Sequence, residues 1–200
     1  MNPLLRVTFP AFALCLAWSA RAQPAASGAP APQPPPAMAP PATVSQSLDR
    51  QFGFVEADLL PLAEAMPAEK FDFAPAGDGF KGVRTFKQQI GHVAATIYAA
   101  AASLLGEASN LKEADLEGGP STLRTKEDVV AYLRGAFAKG HKAIATVDAK
   151  NLLEVVGKDG IRGTRLGLSN LLTWHAFDHY GQLVVYARMN GVVPPASMRK

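Results

Sequence analysis

Apolar residues recur along most of this chain at alternating steps of three and four, the signature of helices burying one face. Leu48, Phe52, Val55, Leu59, Leu62 and Met66 form one stripe, and Phe86, Ile90, Val93, Ile97, Ala100 and Leu104 a second. Val130, Leu133, Phe137, Gly140, Ile144 and Val147 form a third, and Leu168, Leu172, His175, His179, Gln182, Tyr186 and Met189 a fourth. No period-two alternation competes with them, so the pattern predicts an all-α antiparallel four-helix bundle. Breaks fall where they should. Pro67 and the segment from Phe71 to Gly82 end the first helix, with a kink expected at Pro61. Thr85 or Arg84 opens the second, Thr125 with Asp128 caps the third, and Thr164 caps the fourth after a loop from Gly157 to Gly163. Gly118-Gly119-Pro120 separates the second helix from the third, and Gly191 with Pro194-Pro195 stops the fourth. Gly135 and Gly140 make the third helix intrinsically the weakest, at about 1 kcal/mol each against alanine.

The pattern fails before residue 44. Arg6, the apolar run from Val7 to Trp18 and Ala20-Arg21-Ala22 read as a signal peptide over residues 1–22, cleaved before Gln23. Two alternatives stay open: a lipidated Cys15, against which the large Leu14 argues, and an uncleaved anchor. Residues 23–43 are rich in Pro and Ala and form a solvated linker, leaving 44–196 as the folded domain. Export to the periplasm or the extracellular space is therefore expected, without stable membrane insertion after cleavage. Cys15 is the chain's single cysteine, which excludes an internal disulfide, a cysteine-rich zinc knuckle and an iron–sulfur cluster. The formal charge of +3 shrinks to 18 basic against 17 acidic residues once Arg6 and Arg21 leave, so nucleic acid is not an expected partner.

The fourth stripe is the chemical anomaly. His175 and His179 sit one turn apart on one helix face, so a seam that should be apolar buries imidazoles. Paired at that spacing they suit one metal ion, and His92 on the second helix can complete the set. Gln88, Ala95 and Ala99 flank His92 on its face, and the small alanines would let another helix approach closely. His141 lacks a partner at ligand spacing, Asp178 points away from the pair, and Tyr186 lies nearer the histidine face than Tyr180. Three neutral nitrogens would leave a divalent ion its full charge and an open position, the makings of a Lewis acid for hydrolysis.

Arg84-Thr85-Phe86 ahead of His92, the string His175-x-x-x-His179-x-Gly181-Gln182-Leu183, and Tyr186-x-Arg188-x-x-Gly191-x-x-Pro194-Pro195 together resemble the DinB/YfiT-like superfamily. Phe71-Asp72-Phe73-Ala74-Pro75 resembles that family's link between its first two helices. The resemblance spans Val44 to Pro195 and implies an up–down–down–up bundle, often a homodimer. It implies His92, His175 and His179 as ligands of a divalent transition metal, commonly Zn, Ni or Fe. Where many members carry a Glu one turn before the first ligand, this chain has Gln88. The resemblance also implies thiol-dependent transferase or isomerase activity on a small-molecule substrate, beside the hydrolysis that the three nitrogens make available. Transfer from a small thiol suits a reducing cytosol, so export favours hydrolysis. A metal-binding or purely structural bundle without catalysis is the alternative.

Overall fold

In the computed structural model, residues 40–158 and 161–199 are described. The expected signal peptide and most of the linker lie outside them. Four long helices, α1 (Val44–Ala65), α2 (Phe86–Leu105), α4 (Lys126–Ile144) and α5 (Arg165–Met189), carry the four stripes. A short helix, α3 (Glu113–Gly118), precedes α4, and two-residue strands Val155–Val156 and Gly163–Thr164 pair antiparallel ahead of α5. Neither was visible in the periodicity, since one helical turn or one pair of bridges is too short to establish a period.

The long helices start where the caps predict. The hydroxyls of Thr85, Thr125 and Thr164 accept the backbone N–H of Gln88, Asp128 and Gly167, and Thr43 does the same for α1. At α2 and α4 the third residue reciprocates, closing a capping box that satisfies two orphan donors at once. Pro61 lies within α1, which continues to Ala65.

Side-chain pairings set the helix directions. The Phe52 ring lies 5.1 Å from that of Phe137, while Lys126 Nζ reaches the carbonyls of Glu64 and Met66, so α1 and α4 run antiparallel. Tyr98 stacks 4.9 Å from Tyr132 and Glu107 pairs with Lys139 at 2.7 Å, so α2 and α4 run parallel. Arg165 donates to the carbonyl of Leu104 and the Tyr186 hydroxyl to that of Arg84, so α2 and α5 are antiparallel. In chain order the long helices run up, down, down, up. Both α1 and α2 pack against α4 and α5.

Every residue of the first two stripes is buried, and so is the third apart from Val130, whose place is taken by Val129. Burying side chains such as Phe52, Leu59, Ile97 and Leu133 contributes about 1.5–3 kcal/mol each. The fourth stripe departs from expectation. Gln182 and Met189 are exposed, and Ala176 and Leu183 are buried in their stead. The two helix-weakening glycines of α4 turn out to be packing sites. A Cβ on Gly140 would fall 2.5 Å from Phe52 Cε1, and one on Gly135 would strike the Tyr98 hydroxyl. Backbone propensity is given up there so that aromatic rings can cross the helix.

Candidate metal centre

Antiparallel packing brings the first third of α2 against the middle of α5, and there the three histidines meet. One ring nitrogen from each of His92, His175 and His179 lies within 4.8 Å of the others. The ring centroids are 4.7–4.9 Å apart. His179 is buried, and His92 and His175 are half-buried.

Hydrogen bonds decide which nitrogen each ring presents. His92 Nδ1–H donates to the carbonyl of Leu116 in α3, which leaves the Nε2 lone pair facing the cluster. His179 Nδ1–H donates to Gln89 Oε1 at 2.8 Å, leaving its Nε2 free in the same way. Partners of this kind fix tautomer and ring orientation in histidine–metal sites. His175 Nε2 lies 3.1 Å from His92 Nε2. Two nitrogens bound to one tetrahedral zinc at about 2.05 Å would be about 3.3 Å apart, so this edge has the right length for a shared ion. Since His92 Nε2 carries no proton, His175 is the donor across that edge, and its buried Nδ1 has no hydrogen-bond partner. A neutral imidazole pair this close is satisfied only halfway. An ion between the rings would bond both Nε2 atoms, with the His175 proton carried on its Nδ1 instead.

Electrostatics keep the rings unprotonated. Burial pushes His175 down to about 4, reinforced by the neighbouring His179 and His92 and opposed by Asp178. Burial likewise takes His179 to about 4, with His92 adding to the effect. For His92, burial outweighs the Leu116 carbonyl and Glu117, which favour the proton, while Arg84 disfavours it. At neutral pH all three rings are therefore neutral; His92 and His179 present lone pairs, and His175 would present one once its proton sits on the unpartnered Nδ1.

Gln88, which sequence reasoning set beside the histidines, is turned away from them. Its Oε1 accepts the Thr85 N–H in the α2 capping box, and the residue is exposed. The neighbouring Gln89 instead enters the interior and holds His179. Asp178 is exposed, as expected, and is bonded to Gln182 at 3.2 Å, while Tyr186 is buried. His141 stands apart from the cluster, between Asp49 (2.5 Å) and Glu56 (2.9 Å) of α1.

Sequence reasoning missed α3 altogether, and with it the Leu116 carbonyl. Helix α3 docks at Gly91, where a Cβ would fall 2.7 Å from the Gly118 carbonyl carbon. The Arg84 guanidinium ties down the same short helix, with Nε donating to the Glu117 carbonyl and Nη2 to its carboxylate, both at 2.6 Å. The clue available beforehand was Gly91 one residue before His92, with a glycine pair at Gly118-Gly119 to meet it.

A family model described as the DinB superfamily matches residues 51–183, which include all three histidines. The chain belongs to the DinB superfamily. It is similar in fold to a DinB-like protein of Bacillus cereus ATCC 10987, with a TM-score of 0.60 at 16% identity over 76% of this chain and 96% of that one. A DinB-like protein of Bacillus subtilis gives a TM-score of 0.54 at 16% identity, covering 72% and 92% of the two chains. No curated protein matches the chain. Family membership and the histidine cluster together fit metal binding. Among the described residues, no helix is long and apolar enough to cross a membrane.

Proposed function

We propose that this protein holds one divalent transition-metal ion, such as Zn, Ni or Fe, on His92, His175 and His179 and uses it in hydrolysis or group transfer on a small molecule. The observation that carries this reading is the convergence of three neutral ring nitrogens within 4.8 Å, two of them oriented by Leu116 and Gln89. When bound, such an ion supplies Lewis-acid chemistry at a coordination position the protein leaves open. The chain's own part is to hold the rings, keep them uncharged and partly exclude water. Export through residues 1–22 places the chemistry outside the cytoplasm and favours hydrolysis over thiol transfer. A homodimer is the assembly this reading carries, and nucleic acid is not a partner.

Metal analysis of protein purified without a chelating tag, beside a triple His92/His175/His179→Ala variant, tests the centre. About one equivalent in the parent and none in the variant is expected. No metal in the parent after reconstitution would overturn the reading. Ester and amide substrate screening of the loaded protein then separates catalysis from metal holding without turnover. Fractionation of cells expressing the full chain tests export, and light scattering tests the dimer.

A further inference from the structure

Beside the histidines, a cavity of ≈ 670 Å³ opens between the start of α2, α3 and the later half of α5. Gln89 stands on its wall and, through its bond to His179, joins the cavity to the cluster. Two cationic side chains, Arg84 and Lys87, line it, and each has a replaceable partner. Arg84 is one-third exposed while the Glu117 carboxylate it binds is 74% exposed, and Lys87 pairs at 2.7 Å with an Asp72 carboxylate that is 76% exposed. Ion pairs with one partner so open to water contribute little, so exchanging the carboxylate for another costs little. Arg84 would not drift when its partner left, because its Nε–H remains on the Glu117 backbone carbonyl. The end of α2 cannot serve as the anion binder. Its first N–H groups, on Phe86, Lys87, Gln88 and Gln89, are already taken by Phe73, Phe71 and Thr85.

We propose that this cavity binds a small-molecule carboxylate, with the Arg84 guanidinium as its anchor and the Glu117 side chain as the group it displaces. Leaving, the Glu117 carboxylate frees the Arg84 Nη2–H for a ligand oxygen while Nε stays on the backbone carbonyl, and Lys87 adds a second positive charge on the same wall. Tyr186 and Leu123 supply apolar surface for the remainder of the ligand. Calling this the substrate's subsite rests on the metal reading above. The binding itself does not, since every group involved belongs to the chain.

The test is amide NMR titration with succinate, its uncharged analogue succinamide, and inorganic phosphate, on metal-loaded protein and on the triple-alanine variant. Succinate is expected to shift Gln89, Gly118 and Gly119 saturably in both proteins, and succinamide to leave them unmoved. Arg84→Gln should weaken succinate at least tenfold. Glu117→Gln, which removes the competing charge while leaving the backbone carbonyl in place, should tighten it severalfold. The proposal is overturned if succinamide binds as well as succinate, if phosphate binds more tightly, or if Glu117→Gln fails to strengthen binding. Succinate binding that requires the histidines would also overturn it, because the anion would then sit on the metal. Succinate binding to a protein that never loads metal would leave the cavity assignment standing and the metal reading refuted.

Discussion

Gly91→Ala should damage the proposed metal centre without touching any of its three histidines. The added Cβ would lie 2.7 Å from the Gly118 carbonyl carbon and 3.1 Å from Gly119 N, and both neighbours are backbone. Carbon atoms pack at about 3.5–4.0 Å, so the end of α3 must retreat by about 1 Å. Leu116 lies in that same turn. A retreat of that size stretches its bond to His92 toward the limit where such bonds weaken steeply. Crowding of this kind costs about 1–3 kcal/mol, which a domain of ordinary stability survives. Loss of an outer hydrogen-bond partner of a metal ligand typically lowers affinity about 10- to 100-fold. The assay is competition for zinc against a chromophoric chelator, with urea unfolding measured alongside. Gly181→Ala is the control, since a Cβ there meets nothing within 4 Å. It lies inside α5 two residues past His179, so it should stabilise the protein by about 0.5–1 kcal/mol with unchanged zinc affinity. A Gly91→Ala variant that binds zinc as tightly as the parent would refute the claim that α3 positions His92.

Other perturbations separate neighbours that look alike in sequence. Gln89→Ala should weaken zinc about 10- to 100-fold, whereas Gln88→Glu should leave it unchanged and hold or slightly raise stability by keeping the capping box, both read by the same competition assay. In metal-free protein, His175 and His179 have folded values near 4, below the unfolded value of about 6.5, so the native state binds fewer protons in that window. Urea stability should therefore fall as pH drops from 6.5 toward 4, and a His175/His179→Ala pair should flatten that slope. His141 has the opposite sign. Burial disfavours its charge, but Asp49 and Glu56 outweigh burial and raise it, so its contribution is complete below about 6.5 and is lost as pH rises through the raised folded value. His141→Gln should remove that alkaline decline in the same titration. Gly140→Ala should destabilise the protein by about 1–3 kcal/mol in urea unfolding despite better helix propensity, because the Phe52 ring occupies the space.

The histidines were legible in the sequence for the same reason that the helices were. A spacing of four on one helix puts two rings on one face, and a repeating stripe says which face turns inward. What periodicity cannot report is which polar atoms meet across elements. Gln88 and Gln89 differ by one position, about 100° around the helix axis, and stripe reasoning chose the one that caps its own helix over the one that enters the core. Helix α3 was hidden for another reason. With six residues and none buried, it has no apolar face to announce it, and it is held by backbone proximity and one guanidinium. Yet it supplies the carbonyl that fixes His92 and the carboxylate that occupies Arg84. The centre and the cavity are thus coupled through a turn of helix whose own packing contributes little. Any ligand that exchanges for Glu117 acts on the segment that orients His92, and metal affinity should respond to anion binding even with no shared contact. Zinc competition run with and without saturating succinate measures that coupling. Equal zinc affinities in the two conditions would show that the Gly91 contact and the Arg84 Nε bond hold α3 in place without the Glu117 carboxylate.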